Sequence, residues 1–361
     1  MNDDLACWVG LSLIPGLGSG SYRKLLRAFG EPENIYAASY AALTDVVSKP
    51  TADAIRSGIR RDALAPLASW LENDANHVIT LADPDYPRLL LEIPDPPPLL
   101  YAKGRRELLN RPALAVVGSR NATPQGAANA ESFSRSLSDS GLCIVSGLAL
   151  GIDAAAHRGG LAGTSSSIAI VGTGLDIVYP SRNHALAHEL AQQGVLVSEF
   201  ALGTLAKAHN FPRRNRIICG LSLGCLVVEA AIRSGSLITA RLAVEQGRDV
   251  FAIPGSIHSP LSKGGHALIK QGAKLVESAN DILDELKWAS AQPAAVTGQD
   301  AASAPCPLLD SLGFEPVSID ALTETSGLTS DSVCAMLLQL ELEGRVASLP
   351  GGLYQRIAPS S

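Results

Sequence analysis

From Leu114 to Ala252 the chain alternates short β-branched runs with stretches whose apolar residues recur every three or four positions. The runs Leu114–Val117, Leu142–Val145, Ser167–Val171, Val195–Ser198, Cys225–Val228 and Asp249–Ala252 predict strands, and Ala273–Val276 adds a further short one. Helical patterns fill the gaps over Pro124–Ser138, Ile152–Leu161, Asn183–Gln193, Arg214–Leu221 and Leu237–Gln246. Strands that alternate with helices predict an α/β fold with a parallel, doubly wound sheet. Most strands end in glycine or a small polar residue, as in Gly118-Ser119-Arg120, Ser146-Gly147, Gly172-Thr173-Gly174 and Ser198-Glu199. Ligands of open α/β sheets bind at the carboxyl ends of strands, so these turns are where a site belongs.

The flanks follow other patterns. Residues 5–72 read as helical, with Ile14-Pro15-Gly16-Leu17-Gly18 turning into a helix over Ser21–Phe29 that stops at Gly30. Residues 1–78 thus predict a small helical domain of the sterile-alpha-motif or helix-hairpin-helix kind. Residues 79–104, with Pro84, Pro87, Pro94 and Pro96-Pro97-Pro98, read as an irregular connector into the sheet domain, which runs to 287. Residues 288–305 are small and polar and predict a flexible linker. In residues 306–361, helices over Ser318–Gly327 and Thr329–Glu343 precede a hairpin of Arg345–Val346 and Tyr354–Ile357, a winged-helix pattern.

Composition narrows the function. The chain has 361 residues, 46% hydrophobic and 18% charged, ample for a buried core. No stretch approaches a membrane span and the N-terminus is acidic rather than signal-like, so the expected compartment is the cytoplasm, without membrane association. Cys7, Cys143, Cys219, Cys225, Cys306 and Cys334 lack C-x-x-C spacing and mostly lie in apolar runs, which favours buried thiols over disulfides or zinc. The net charge of −6 is unevenly spread: residues 1–104 carry −4, residues 105–287 carry +4, and residues 306–361 carry −5. A polyanion partner belongs on the middle region.

Within that region, Phe200 to Val228 holds four basic residues, Lys207, Arg213, Arg214 and Arg216, and no acidic one. A salt-bridged solvated helix predicts interleaved acids. Phe211 and Asn215 among arginines instead form the composition that stacks a base and holds a single-strand backbone. Ser234-Gly235-Ser236 ahead of a helix offers free N–H groups to phosphate. Gly118-Ser119-Arg120 after the first strand offers backbone N–H groups and a guanidinium. Gly172-Thr173-Gly174 lacks the third glycine of a dinucleotide fingerprint, and no G-K-[ST] is present. His184 and His188 have metal spacing without a companion cluster. Asp153, Asp176 and Glu229 stand at strand ends as formal acid–base candidates, yet no nucleophile-and-base pair is readable, and turn and helix-start roles suit Asp153 and Asp176 better. The Thr329–Glu343 helix carries Asp331, Glu341 and Glu343 and no base, which disfavours duplex reading and suits protein contact.

Taken in order, these blocks resemble the DNA processing protein A family (DprA, also called Smf) over nearly the full chain. The resemblance rests on Gly118-Ser119-Arg120, Ser146-Gly147-Leu148-Ala149 through Gly151-Ile152-Asp153, Gly172 to Asp176 with Tyr179-Pro180, and Ser198-Glu199. It continues through Phe211-Pro212, Arg214-Asn215-Arg216, Ser234-Gly235-Ser236 with Thr239-Ala240, and Pro254-Gly255. It implies an extended Rossmann-like fold that binds single-stranded DNA without catalysis or cofactor. It also implies protection of incoming DNA during natural transformation, help in loading the recombinase RecA, and a homodimer. Carried over, Gly118, Ser119, Arg120, Arg214, Asn215 and Arg216 line the DNA site. Lys207 and Phe211 extend it, Ser236 and Thr239 lie at the adjacent helix, and Arg213 and Lys263 stand at its margin. The expected dimer surface is Ala267–Leu283, with Ile269, Leu275, Val276 and Ile282. Two other classes remain: a nucleotide phosphoribohydrolase of related fold, whose paired glutamates are missing at Ser234–Thr239, and a winged-helix transcriptional regulator, opposed by the −5 charge of that module.

Overall fold

A computed structural model describes residues 2–288 and 307–357. Six helices come first: α1 (Asp3–Ser12), α2 (Ser19–Phe29), α3 (Pro32–Ala37), α4 (Tyr40–Thr44), α5 (Lys49–Arg56) and α6 (Arg61–Trp70). Then come β1 (Asn76–Thr80), α7 (Arg88–Leu91) and β2 (Leu99–Gly104). The alternating region follows as β3 (Ala113–Val117), α8 (Pro124–Asp139), β4 (Cys143–Ser146), α9 (Ile152–Ala162), β5 (Ser167–Ile170), α10 (His184–Gln193) and β6 (Val195–Ser198). It continues as α11 (Asn210–Gly220), β7 (Gly224–Val227), α12 (Gly235–Glu245), β8 (Asp249–Ala252), α13 (Lys263–Lys270), β9 (Lys274–Leu275) and α14 (Ala279–Glu285).

The sheet has nine strands in the order β1-β2-β6-β5-β4-β3-β7-β8-β9. From β6 to β9 all neighbours are parallel, as the sequence predicts. Every residue of β3 to β7 is buried, because helices cover both faces. Successive strands run outward from β3 in one direction and from β7 in the other. The order therefore reverses between β3 and β7, and the carboxyl ends of the central strands form one rim.

The stretch read as an irregular connector differs. It contributes two edge strands, with β1 antiparallel to β2 (Thr80 opposite Leu99) and β2 antiparallel to β6 (Tyr101 opposite Ser198). The boundary at residue 78 consequently falls inside β1. The helical region also shares a core with the sheet: Val9 of α1 and Leu64 and Leu67 of α6 pack with Leu99, Tyr101, Leu175 and Leu186. Its remaining core gathers Trp8, Leu11, Tyr22, Leu25, Ile35 and Leu43. Trp288 belongs to the folded part rather than to a linker, since its indole N–H donates to the Ser140 carbonyl at 2.9 Å. The rest of the expected linker, with Cys306, lies outside the described residues.

The C-terminal module consists of α15 (Pro307–Ser311), β10 (Val317–Ser318), α16 (Ile319–Ser326), α17 (Ser330–Leu342), β11 (Val346–Leu349) and β12 (Leu353–Arg356). It is a winged helix with a three-stranded sheet and a core of Leu309, Leu322, Val333, Leu337 and Leu340. Among the described residues no helix is long and apolar enough to cross a membrane.

Inside α9, His157 is fully buried and its Nδ1 shares a hydrogen bond with the Ser167 hydroxyl at 2.7 Å. Burial pushes its pKa down to about 3, helped by the nearby Arg214 and Arg158 charges. The folded protein thus keeps this ring neutral, while the unfolded chain protonates it below about pH 6.5. The stability it contributes is present above that pH and is lost as pH falls toward 3, at up to about 1.4 kcal/mol per pH unit. Urea unfolding at pH 7 and pH 5 should show this slope reduced in His157→Gln. Equal slopes in the two proteins would place the pH sensitivity elsewhere.

Candidate nucleic-acid interface

The rim at the strand ends carries an aromatic platform. Helix α11 starts at Asn210, four residues before the predicted Arg214, so Phe211 lies in its first turn. The Asn210 amide donates to the Gly172 carbonyl at 3.0 Å and ties that turn to the end of β5. Phe211 then rests on Gly172, where a Cβ would lie 3.0 Å from its ring. This close approach explains the glycine. The Phe211 and Tyr179 rings are 5.6 Å apart and tilted by 37°. The Arg120 guanidinium lies over Phe211, 5.7 Å from its centre. Arg120 is exposed, Tyr179 is 48% exposed and Phe211 is half-buried between them, so a cation and a ring reach solvent over a second ring. Tyr179 is missing from the site read in sequence; its place in the Tyr179-Pro180 block was the available signal.

Gly118 and Ser119 shape the turn behind Arg120. A Cβ on Gly118 would lie 2.6 Å from the Ile152 side chain and 2.9 Å from the Glu229 carbonyl oxygen. The Ser119 hydroxyl accepts the Asn121 N–H at 3.1 Å, and its carbonyl accepts the Ile152 N–H at 3.1 Å. Lys207 is exposed on the loop ahead of α11.

The three arginines of α11 have distinct environments. Arg214 is only 5% exposed. Its guanidinium donates to the Gly147 carbonyl at 2.7 Å, to the Ile170 carbonyl, and to the Asn215 side-chain oxygen at 3.2 Å. Burial pushes its pKa down to about 10, against the attraction of Asp153. Asp153 lies beside Gly147 and accepts the Gly147 and Ala149 N–H groups at 3.2 and 3.3 Å. Burial raises its carboxyl pKa, which Arg214 counters. Arg214 and Asn215 therefore brace the strand ends from below.

Arg216 is also buried. Its Nη2 meets Glu199 Oε2 at 2.6 Å and its Nε lies 3.4 Å from Asp95. Arg213 reaches the same Glu199 oxygen at 2.8 Å. The segment that looks free of acids is thus neutralised by acids from outside it. The Glu199 side chain, 2% exposed, comes from the end of β6, and Asp95 comes from the proline-rich stretch before β2. Desolvation raises the Glu199 pKa while both arginines lower it.

Other candidates separate from the platform. Thr239 is buried, and its carbonyl accepts the Cys219 thiol at 3.1 Å, so it packs α12 on α11. Ser236 is buried in a serine pair with Ser234 at 2.6 Å. Lys263 is exposed at the start of α13, and its ammonium donates to the Ile257 carbonyl. The sheet order sets it beyond β7, on the opposite side of the reversal from Phe211.

The acid candidates have structural partners. Asp176 accepts the Gly203 N–H on both oxygens at 2.9 Å, joining the loops after β5 and β6. Glu229 binds the first turn of α8 through Thr123. The His184 and His188 rings lie 4.5 Å apart on α10, tilted by 50°. His157 and Ser167 form a base-and-hydroxyl contact, but both are fully buried, beyond the reach of a substrate. The arrangement is equipped to stack and to neutralise charge.

Comparison with known proteins identifies the family of the chain. Residues 77–287 match the family described as DNA recombination-mediator protein A, and residues 292–352 match the DprA winged helix domain. Protein Smf of Escherichia coli is 44% identical over 306 residues, covering 82% of each chain. DNA processing protein DprA of Streptococcus pneumoniae is 49% identical over 209 residues, covering 58% of this chain and 74% of its own. The crystal structure of the Streptococcus pneumoniae protein superposes with a TM-score of 0.69 at 39% identity, covering 79% of this chain and 98% of that one. DNA processing protein A of Helicobacter pylori, studied for its single-stranded DNA binding mode, gives 0.54 at 30% identity, covering 58% and 96%. With its sheet, its glycine turns and its winged helix all accounted for, the chain belongs to the DNA recombination-mediator protein A family, DprA/Smf.

Proposed function

We propose that the protein binds single-stranded DNA through the strand-end rim and does no chemistry on it. As a cytoplasmic homodimer it protects incoming DNA during natural transformation and helps load RecA. The observation that carries this reading is the solvent-facing platform of Arg120, Phe211 and Tyr179, flanked by Lys207. Rings beside cations hold a strand with little sequence preference, because every base has a face to stack. The binding mode studied in the Helicobacter pylori protein supports the same ligand. The RecA role and the dimer rest on family membership. For the dimer, Leu275 is 43% exposed and available, whereas Val276 and Ile282 are core residues and leave the candidate surface.

Binding to an oligothymidylate should weaken steeply with salt, because each phosphate neutralised releases counterions, with a slope of roughly 0.7 per contact. A duplex of equal length should bind more weakly at every salt concentration. Salt-independent binding, or a preference for duplex, would remove the reading. Incubation with nucleoside monophosphates should release no free base. Release would favour the phosphoribohydrolase class instead.

A further inference from the structure

The reversal of strand order between β3 and β7 creates the crevice in which open α/β sheets take nucleotides. In this chain a carboxylate fills it from within. Glu229, just past β7, reaches across to the start of α8. Its Oε1 accepts the Thr123 hydroxyl at 2.6 Å and its Oε2 accepts the Thr123 N–H at 3.0 Å. Thr123 is the cap of α8, and its hydroxyl in turn accepts the Gly126 N–H at 2.9 Å. Gly126 makes the space: a Cβ there would lie 2.3 Å from the Glu229 carboxyl carbon. Helix α8 has sixteen residues and no acid in its own first turn, so the negative charge at its N-terminus comes from another strand. A carboxylate and a phosphate ask for the same donors at such a place.

We propose that Glu229 is a specificity-determining residue, a built-in anion that closes the crevice to inorganic phosphate and free nucleotides. Phosphate binding is thereby confined to the outer rim around Arg120. The terminal phosphate of a nucleotide has three free oxygens and fits a narrow hole. A phosphodiester flanked by two sugars stays on the rim. The inference rests on the single-strand reading only for the role of that rim; the state of the hole is a separate property.

The test uses the full chain and two probes, inorganic phosphate and adenosine monophosphate, at constant ionic strength. Glu229→Ala empties the hole and leaves the Thr123 N–H and hydroxyl without their acceptor. Its apparent affinity for phosphate, read from the rise in melting temperature, should exceed that of the wild type roughly tenfold or more. Adding Gly126→Ala in the same chain refills the hole and should abolish the gain. In the wild type, the Thr123 and Gly126 amide resonances should stay fixed as adenosine monophosphate is added, a measurement that needs no variant to fold. Equal phosphate affinity in wild type and Glu229→Ala, a gain that survives Gly126→Ala, or saturable shifts at Thr123 in the wild type would each overturn the proposal. Oligothymidylate binding by the wild type, measured alongside, separates the two claims. Its absence sinks the single-strand reading and leaves the phosphate comparison intact.

Discussion

Arg214→Ala is expected to lower the unfolding free energy by about 3–5 kcal/mol, with single-strand affinity falling as a consequence. The guanidinium is enclosed, donates to two backbone carbonyls at the ends of β4 and β5, and balances the buried Asp153. Removing it strands a carboxylate in a low-dielectric site and leaves the Gly147 and Ile170 carbonyls with one donor fewer. Adding Asp153→Asn should recover part of the loss, because the stranded charge goes with it. Urea unfolding of the single and double variants checks both expectations. A single variant with a wild-type midpoint and weak DNA binding would mean that Arg214 leaves its cage to meet the strand.

Arg120→Ala and Phe211→Ala should behave in the opposite way, with affinity lost and stability largely kept. Phe211→Ala should weaken oligothymidylate binding by about 1–3 kcal/mol if the ring stacks on a base. Arg120→Ala should also flatten the salt dependence by roughly 0.7 of a logarithmic slope unit, the share of one phosphate contact on a single strand. Arg120 stands in solvent and its described contact is with the Phe211 ring, so the fold does not depend on it. The two variants should not add fully, since each removes part of one stacked pair. Melting curves beside binding isotherms decide the matter. Equal losses in both measurements would make Phe211 a packing residue of the β5 turn.

The central strands were legible because they are covered on both faces and read as unbroken apolar runs. The two edge strands were not. Leu99–Gly104 pairs with residues far along the chain, and the prolines before it suggest a loop. The basic segment was legible as a cluster, but its charge balance was not. A count along the chain cannot register Glu199 and Asp95, which arrive through folding. The burial of Arg214 was legible in its spacing. Arg214 stands three, four and seven residues before Ile217, Ile218 and Leu221, the spacing of one helix face, and that face is buried. Periodicity therefore identified its environment even though its charge suggested another. Arg120 carried no such pattern, and the structure leaves it in solvent as the turn composition implied.

The indole of Trp288 sits at the amino end of β4, beside Pro112 and Leu223, which precede β3 and β7. The aromatic platform is at the other ends of the same strands. The α/β body thus has two poles, one presenting rings and cations and the other holding Trp288. The platform and the last residue of the body, Trp288, therefore lie on separate surfaces. For a shortened protein the last useful residue is Trp288 rather than Lys287, because cutting one residue earlier opens a slot in the body. For a surface-attached protein, an anchor placed after Trp288 starts at the pole away from the platform and leaves the aromatic rim turned to the solution.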